Sequence, residues 1–408
     1  MTPRSHPKGH FDRRTMLGLL GVGGVTAVAA GCGSSINTGG GGGSGEQLKV
    51  GLVIPQSGVY STLGTDMKRG WDLYLKQNNG MLGGRKVEAV TADEGETPET
   101  GVAAVQRVLQ AGQVDVVVGI VSSAVALGSV DMITEAGKLF VGANAGAGQL
   151  TGPDADPLIW RASFANAQVS YAMGEYLAKQ DVGSVYLIAA DYAAGKQAMA
   201  GFRESFEAAG GTVAGEAFTP FPDTQDFAPF LSGIRSSGAG ATFCFYAGGA
   251  AVSFVQQYDS FGLKDSIPLF GSGFLTDDTI LPSIGAAAEG VQTSLHYTTQ
   301  LENRANKKFL KDYRAAYDAE PTVYSVQCYD AAMVLDMAGA KAKSVSSTDM
   351  SKAMAAVGKV ENSPRGPWSF EGQGPKQTYY QREVRQEGGQ LVNAVVTDLG
   401  VFAQPNLF

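Results

Sequence analysis

Cysteine and histidine are nearly missing from this chain of 408 residues, at three of each. Three cysteines cannot staple a protein of this size, so a disulfide scaffold is excluded. His6 and His10 lie in the first ten residues, which leaves His296 alone in the body. One histidine and two cysteines beyond residue 32 supply no ligand set for structural zinc. H-E-x-x-H, G-x-S-x-G and G-x-x-x-x-G-K-[ST] are lacking as well, and with them the common hydrolase and nucleotide chemistries. Charged residues make up only 17%, against about 25% in an ordinary globular protein, which rules out a highly charged disordered polymer. No apolar run reaches the ~20 residues of a membrane-spanning helix. Glycine, by contrast, is abundant at 55 residues. No Gly-X-Y period accompanies it, so collagen is excluded.

The first 46 residues read as address and tether. Arg13-Arg14 precede an apolar run from Met16 to Gly31 that is shorter than a bilayer span. A basic start, a short apolar stretch and small residues before a break describe an export signal over residues 1–31. The paired arginines match the twin-arginine type, with ordinary secretion as the alternative. Ala29-Ala30-Gly31-Cys32 ends the run like a bacterial lipobox, so Cys32 is expected to carry lipid. Residues 32–46 continue as a Gly/Ser linker. Gly40, Gly42 and Gly45 formally satisfy G-x-G-x-x-G, but no strand precedes them and no helix follows. The leader carries +3, so the rest of the chain is at −11 against −8 overall. An acidic body of that kind argues against nucleic acid as a partner.

From Leu48 onward, short apolar runs alternate with longer amphipathic stretches. LKVGLVI (48–54), RKVEAVTAD (85–93), VDVVVGIV (114–121), LFVGA (139–143), VYLIAA (185–190), TFCFY (242–246) and PLFG (268–271) read as strands. Helices are expected after Thr65, with Met67, Trp71, Tyr74 and Leu75 on one face, and after Thr97-Pro98. Strands alternating with helices imply parallel sheets with right-handed crossovers, an α/β fold. Ligands of such sheets collect beyond the carboxyl ends of the strands. That rule nominates Ser57 to Ser61, Ser122-Ser123, Ala143 to Gly148, Asp191-Tyr192, Ala247 to Gly249 and Ser272 to Phe274. These small, polar loops leave backbone N–H groups open at helix starts, which favours an anion. His296 reads as a packed or surface histidine. Asp93, Asp191, Asp277 and Asp278 read as caps rather than acid–base groups. Cys244 and Cys328 read as buried thiols, with pairing between them left open.

Several of these blocks together resemble the substrate-binding lipoproteins of branched-chain amino-acid ABC transporters, the Leu/Ile/Val-binding type of periplasmic-binding-protein fold. The likeness runs from the opening GLVIPQSGVYSTLGTDMKRGWDLYLKQNNGMLGGRK through GIVSSAVAL (119–127), GANAGAGQLTG (142–152), AADYAAGKQ (189–197) and SPRGPWSFEGQG (363–374). It implies two Rossmann-like lobes joined by a three-segment hinge. Residues 47–163 and 297–380 would form one lobe, and 164–296 with 381–408 the other. The resemblance further implies no catalysis, no cofactor and no metal, a monomer, a small-molecule ligand between the lobes, and a permease as partner. The protein would sit outside the cell, held on the membrane's outer face by its lipid.

The resemblance also assigns roles. Ser122, with Ser123 beside it, aligns with the serine that holds a ligand carboxylate through hydroxyl and backbone N–H. Asn144 aligns with a backbone carbonyl acceptor, within the Asn144-Ala145-Gly146 loop. Gly146 stands where the family has a threonine and Gly273 where it has a glutamate, the two groups that receive the α-ammonium. Ala194 stands in the place of an aromatic residue, with Tyr192 close by. Tyr60, Tyr192, Tyr246 and Phe274 are candidate walls, and Gly248 belongs to the facing loop. The expected ligand is therefore a small carboxylate, aromatic or aliphatic, without an α-amino group. Alternatively, Asp191 or Asp277 replaces the glutamate and an amino acid binds. A ligand-sensing ectodomain of the same fold and, more remotely, a secreted hydrolase are the competing functions. A related transcription regulator would need an N-terminal helix-turn-helix where the lipobox stands.

Overall fold

The computed structural model describes residues 46–221 and 224–408. The export leader, Cys32 and nearly all of the linker lie outside the described residues.

Six strands form the first sheet: β1 (Leu48–Ile54), β2 (Met81–Leu82), β3 (Arg85–Asp93), β4 (Val116–Gly119), β5 (Leu139–Gly142) and β6 (Ile159–Arg161). Their order is β2-β3-β1-β4-β5-β6, and every pairing but that of β2 is parallel. β1 and β4 are almost wholly buried β-branched and leucine runs, as a sheet covered on both faces requires. The helix expected after Thr65 begins earlier, at Ser61, and runs to Gln77. A 3-10 turn at Gly58–Tyr60 leads into it, so Thr65 is already helical and its hydroxyl donates to the Ser61 carbonyl (3.2 Å). The helix Pro98–Gln110 starts as expected, with Thr97 as its cap.

The second sheet is built on β7 (Ser184–Ala190), β8 (Thr212–Thr219), β9 (Ala241–Phe245), β10 (Leu269–Ser272) and β11 (Gln292–Leu295), paired in parallel. β12 (Lys359–Val360), β13 (Trp368–Glu371), β14 (Gly374–Glu387) and β15 (Gln390–Phe402) complete it antiparallel. The chain passes between the two lobes after β6, after β11 and along β14. β15 then returns along β14, pairing Phe402 with Gln377. The tail that follows was assigned above to the second lobe. It lies instead against the first, where Gln404 Nε2 donates to the Gly148 carbonyl (2.8 Å). The helix Val323–Gly339, buried along almost its whole length, packs against Ser61–Gln77 and fills the first lobe. Cys244 and Cys328 are buried free thiols.

Candidate ligand-binding site

Between the lobes lies a cavity of about 640 Å³. Its walls are the segments that leave the carboxyl ends of strands, as a parallel sheet dictates. Tyr60 and Leu63 follow β1, Glu96 to Pro98 follow β3, Val121 to Ala124 follow β4, and Asn144 and Gly146 follow β5. From the second lobe come Tyr192 to Ala194 after β7, Phe221 and Gln225 after β8, Ala247 after β9 and Phe274 after β10. Phe245 lines it from the end of β9. The crossing segment after β6 adds Phe164 and Asn166, and the helix Val323–Gly339 adds Tyr324.

Among the described residues, seven aromatic rings therefore face the cavity, and no lysine, arginine or histidine lines it. Phe164 and Phe274 approach to 4.7 Å between ring centres, and Tyr192 stacks on Phe221 at 4.5 Å. Burial, and then the charge of Glu94, push the Tyr60 phenol up to about 12, while burial lifts Tyr192 and Tyr324 well above the ordinary range. The tyrosines are thus neutral at physiological pH. Four helices start on the cavity: Pro98–Gln110, Ser123–Glu135, Ala193–Ala208 and Gly248–Ser260. Thr97 and Ser122 cap the first two, whereas the other two begin from Tyr192 and Ala247 with no side-chain cap. Aligned peptide dipoles and open N–H groups at these ends favour negative charge without any cation.

The serine turn is held from behind. Val121 N–H and Ser122 N–H donate to the two carboxylate oxygens of Glu94, each at 2.8 Å. Glu94 is 2% exposed, and its burial raises the carboxyl to about 7 even though both N–H donors pull it down. The Ser122 N–H, expected to meet a ligand, is thus already engaged. The Ser122 hydroxyl accepts a long bond from Val125 N–H (3.4 Å), and that of Ser123 accepts one from Asn166 Nδ2 (3.2 Å). The Asn144 carbonyl accepts the Ser163 hydroxyl (3.2 Å), and its side chain donates to Gln327 (2.6 Å).

Of the residues nominated from sequence, Tyr60, Ser122, Ser123, Asn144, Gly146, Tyr192 and Phe274 line the cavity. Three others do not. Ala145 is buried behind its loop, its N–H on the Ile120 carbonyl (2.9 Å). Tyr246 points into the second lobe's core, 4.6 Å from the Phe254 ring and bonded to Thr219 (3.2 Å). Side chains alternate at a strand end, so Phe245 takes the cavity side and Tyr246 the opposite one. Gly248, at φ 57°, opens its helix beside the Tyr60 ring, which a Cβ there would approach to 3.6 Å. Phe164, Asn166, Phe221, Phe245 and Tyr324 were not nominated. The alternation within TFCFY could have found Phe245. Phe164 and Tyr324 come from a crossing segment and a core helix, and nothing local marks them.

The two ammonium positions are filled as well as changed. A Cβ on Gly146 would lie 2.4 Å from Asn166 Oδ1 and 2.7 Å from the Phe164 ring. On Gly273 it would lie 2.4 Å from Leu295 Cβ and 2.6 Å from an Arg382 nitrogen. Neither alternative carboxylate lines the cavity. Asp191 is half exposed and paired with Lys196 at 2.7 Å. Asp277 is buried behind the wall, where it accepts from the Tyr324 hydroxyl (3.4 Å) and the Thr279 N–H (2.9 Å). Among the described residues, the wall carboxylate is Glu96, an exposed residue.

Charge is concentrated behind the cavity, where the lobes are joined. Arg365 forms a fully buried ion pair with Asp330 (2.8 Å) and donates to the carbonyls of Ala162 (2.6 Å) and Ser163 (2.8 Å) and to Gln377 Oε1 (2.7 Å). Arg382 donates to the carbonyls of Gly273 (2.8 Å) and Tyr297 (3.1 Å). His296 is buried between them. Its Nε2 lies 3.2 Å from Gln327, and burial followed by the two arginines holds it well below its ordinary pKa, hence neutral.

Residues 47–390 match the family model described as periplasmic binding protein. A Leu/Ile/Val-binding protein homolog 6 of Brucella melitensis is 31% identical over 349 residues, covering 83% of this chain and 87% of that protein. A solute-binding protein of an R. palustris ABC transporter, solved with benzoate, is 35% identical with a TM-score of 0.79, covering 88% of this chain and 98% of that one. Another from R. palustris, solved with 4-hydroxybenzoate, is 28% identical with a TM-score of 0.81, covering 89% and 99%. These are extracytoplasmic transport components, not enzymes. With two α/β lobes closing on an interlobe cavity, this chain belongs to the periplasmic binding protein family, the solute-binding proteins of ABC transporters.

Proposed function

We propose that this solute-binding protein captures a small aromatic carboxylate that lacks an α-amino group and delivers it to an ABC importer. It would work as a monomer on the outer face of the cell membrane, tethered by lipid at Cys32. The observation that carries this reading is a cavity walled, among the described residues, by seven rings and four helix starts, with no lysine, arginine or histidine and with no room for a side chain at Gly146 or Gly273. A buried ammonium needs a counter-charge, because an unpaired ion in such surroundings is costly. A flat ring with one carboxylate needs apolar faces and N–H donors, and this wall has both. The benzoate and 4-hydroxybenzoate held by the two R. palustris proteins support the same class.

Thermal unfolding of the protein with benzoate, 4-hydroxybenzoate, leucine and isoleucine tests the reading. A specific ligand at a hundredfold excess over Kd stabilises by about 2.7 kcal/mol. Stabilisation by the aryl carboxylates alone is the expected result. Stabilisation by leucine or isoleucine, with no response to either benzoate, overturns it.

A further inference from the structure

We propose that Glu94 is the positioning residue for the carboxylate end of this site, and that an anionic ligand enters together with one proton taken up by Glu94. This rests on the aromatic-carboxylate reading above. Glu94 directly follows β3, and its backbone is fixed from two sides. Its N–H donates to the Ile54 carbonyl (3.0 Å), and its carbonyl accepts the Thr100 hydroxyl (3.2 Å). Its two carboxylate oxygens each hold one N–H of the serine turn, at Val121 and Ser122. Both residues line the cavity, so the carboxylate stands one peptide unit behind the wall.

Among the described residues, the charged neighbours Asp93, Glu96 and Glu99 share the sign of Glu94. Asp93 precedes it, held by Gln56 N–H, Ser57 and Gly95 N–H. Glu96 stands on the cavity wall, and Glu99 lies in the first turn of Pro98–Gln110. Tyr60 faces it from the 58–60 turn as a neutral phenol. The first turn of Ser123–Glu135 carries no charge, and among the described residues no lysine or arginine pairs with Glu94.

An arriving carboxylate therefore adds a further negative charge beside Glu94, met by helix ends but, among the described residues, by no lysine or arginine of the wall. Two carboxylates so placed do not both stay ionised in a dry site. Burial already holds the Glu94 carboxyl near 7, so solvent supplies its proton at neutral pH. Protonation turns one carboxylate oxygen into a hydroxyl, which keeps the other oxygen on one N–H and weakens the hold on the second. Ser122 N–H is then released toward the ligand oxygen, the role that the family resemblance implies for it. The balance is one proton taken from solvent, no covalent bond made or broken in the ligand, and a ligand that remains a carboxylate.

Calorimetric titration of the protein with benzoate, in two buffers of different ionisation heat, counts the protons. Benzoate stays ionised across pH 6.5–9, so any uptake belongs to the protein. The expected result is net uptake that approaches one proton per benzoate as pH rises, with Kd weakening up to about tenfold per unit above pH 8. Glu94→Gln should bind benzoate with no proton uptake and a flat pH profile, whereas Glu94→Asp should restore the pH dependence. Binding of benzoate to the wild-type protein without proton uptake overturns the proposal while leaving the aromatic-carboxylate function intact. So does uptake that persists in Glu94→Gln. The wild-type proton count decides the matter even where a variant folds poorly. Failure of benzoate and 4-hydroxybenzoate to bind, with leucine binding instead, removes both.

Discussion

The cavity wall and the layer that joins the lobes are both buried, but they solve burial in opposite ways. The wall uses rings, alanines and neutral amides, with the exposed Glu96 at its edge, and offers positive charge only as helix ends. The joining layer buries arginines, a histidine and an aspartate, and its arginines donate to backbone carbonyls such as those of Ala162, Ser163 and Tyr297. Arg365 alone ties residues 162–163, Asp330 and Gln377 into one node. A wall that must receive different molecules, or stand empty, cannot hold unpaired charge without penalty. A joint whose partners never leave can hold charge, because a guanidinium there keeps a fixed counter-ion and fixed carbonyl acceptors. The two regions touch at Asn144, which lines the cavity and donates to Gln327, the neighbour of His296.

The largest expected effect is at the joint. Asp330→Asn leaves the Arg365 guanidinium buried without its counter-charge, and should lower stability by about 3–5 kcal/mol, read by urea denaturation. If the loss is below 1 kcal/mol, the joint is not organised by that pair. Next comes the wall. Phe274→Ala and Phe164→Ala each remove a ring face and should weaken benzoate binding by roughly ten- to a hundredfold, about 1.4–2.8 kcal/mol, by calorimetry. Equal affinity in both variants would mean that the rings shape the cleft without touching ligand.

The smallest effect concerns His296. Its folded pKa lies well below the unfolded value of about 6.5, so below that pH the unfolded chain binds a proton that the native state refuses. The wild-type protein should therefore lose stability relative to His296→Asn as pH falls through about 6.5 toward 5, by at most ~1.4 kcal/mol per unit. Urea unfolding of both forms at each pH isolates this slope. Parallel curves would show that the joint accepts a charged imidazole.

Much of this was legible in the residues. Continuous β-branched runs such as Val116–Gly119 had to be covered strands, and the loops after them had to face one cleft. Ser122, Tyr60, Tyr192 and Phe274 followed from that rule and the family blocks. The errors share a cause. Tyr246 was taken as wall because its loop faces the cleft, but one residue of alternation turns it into the core. Thr65 was taken as a cap because nothing in its own window shows the 3-10 turn at Gly58–Tyr60 that starts the helix earlier. Phe164, Tyr324 and Glu94 reach the site through pairings 27 or more residues away in the chain, as Glu94 does to Val121.

The sequence by itself determined the α/β alternation and the loops that face the cleft. Those are properties of residue type and local period. Only the tertiary structure decided that Phe164, Asn166, Leu295 and Arg382 fill the space beside Gly146 and Gly273, that Glu94 holds the serine turn, and that charge gathers at the joint. Each of these is a contact between segments far apart in the chain. Local pattern fixes which face a residue offers, while packing across the lobes fixes what that face meets.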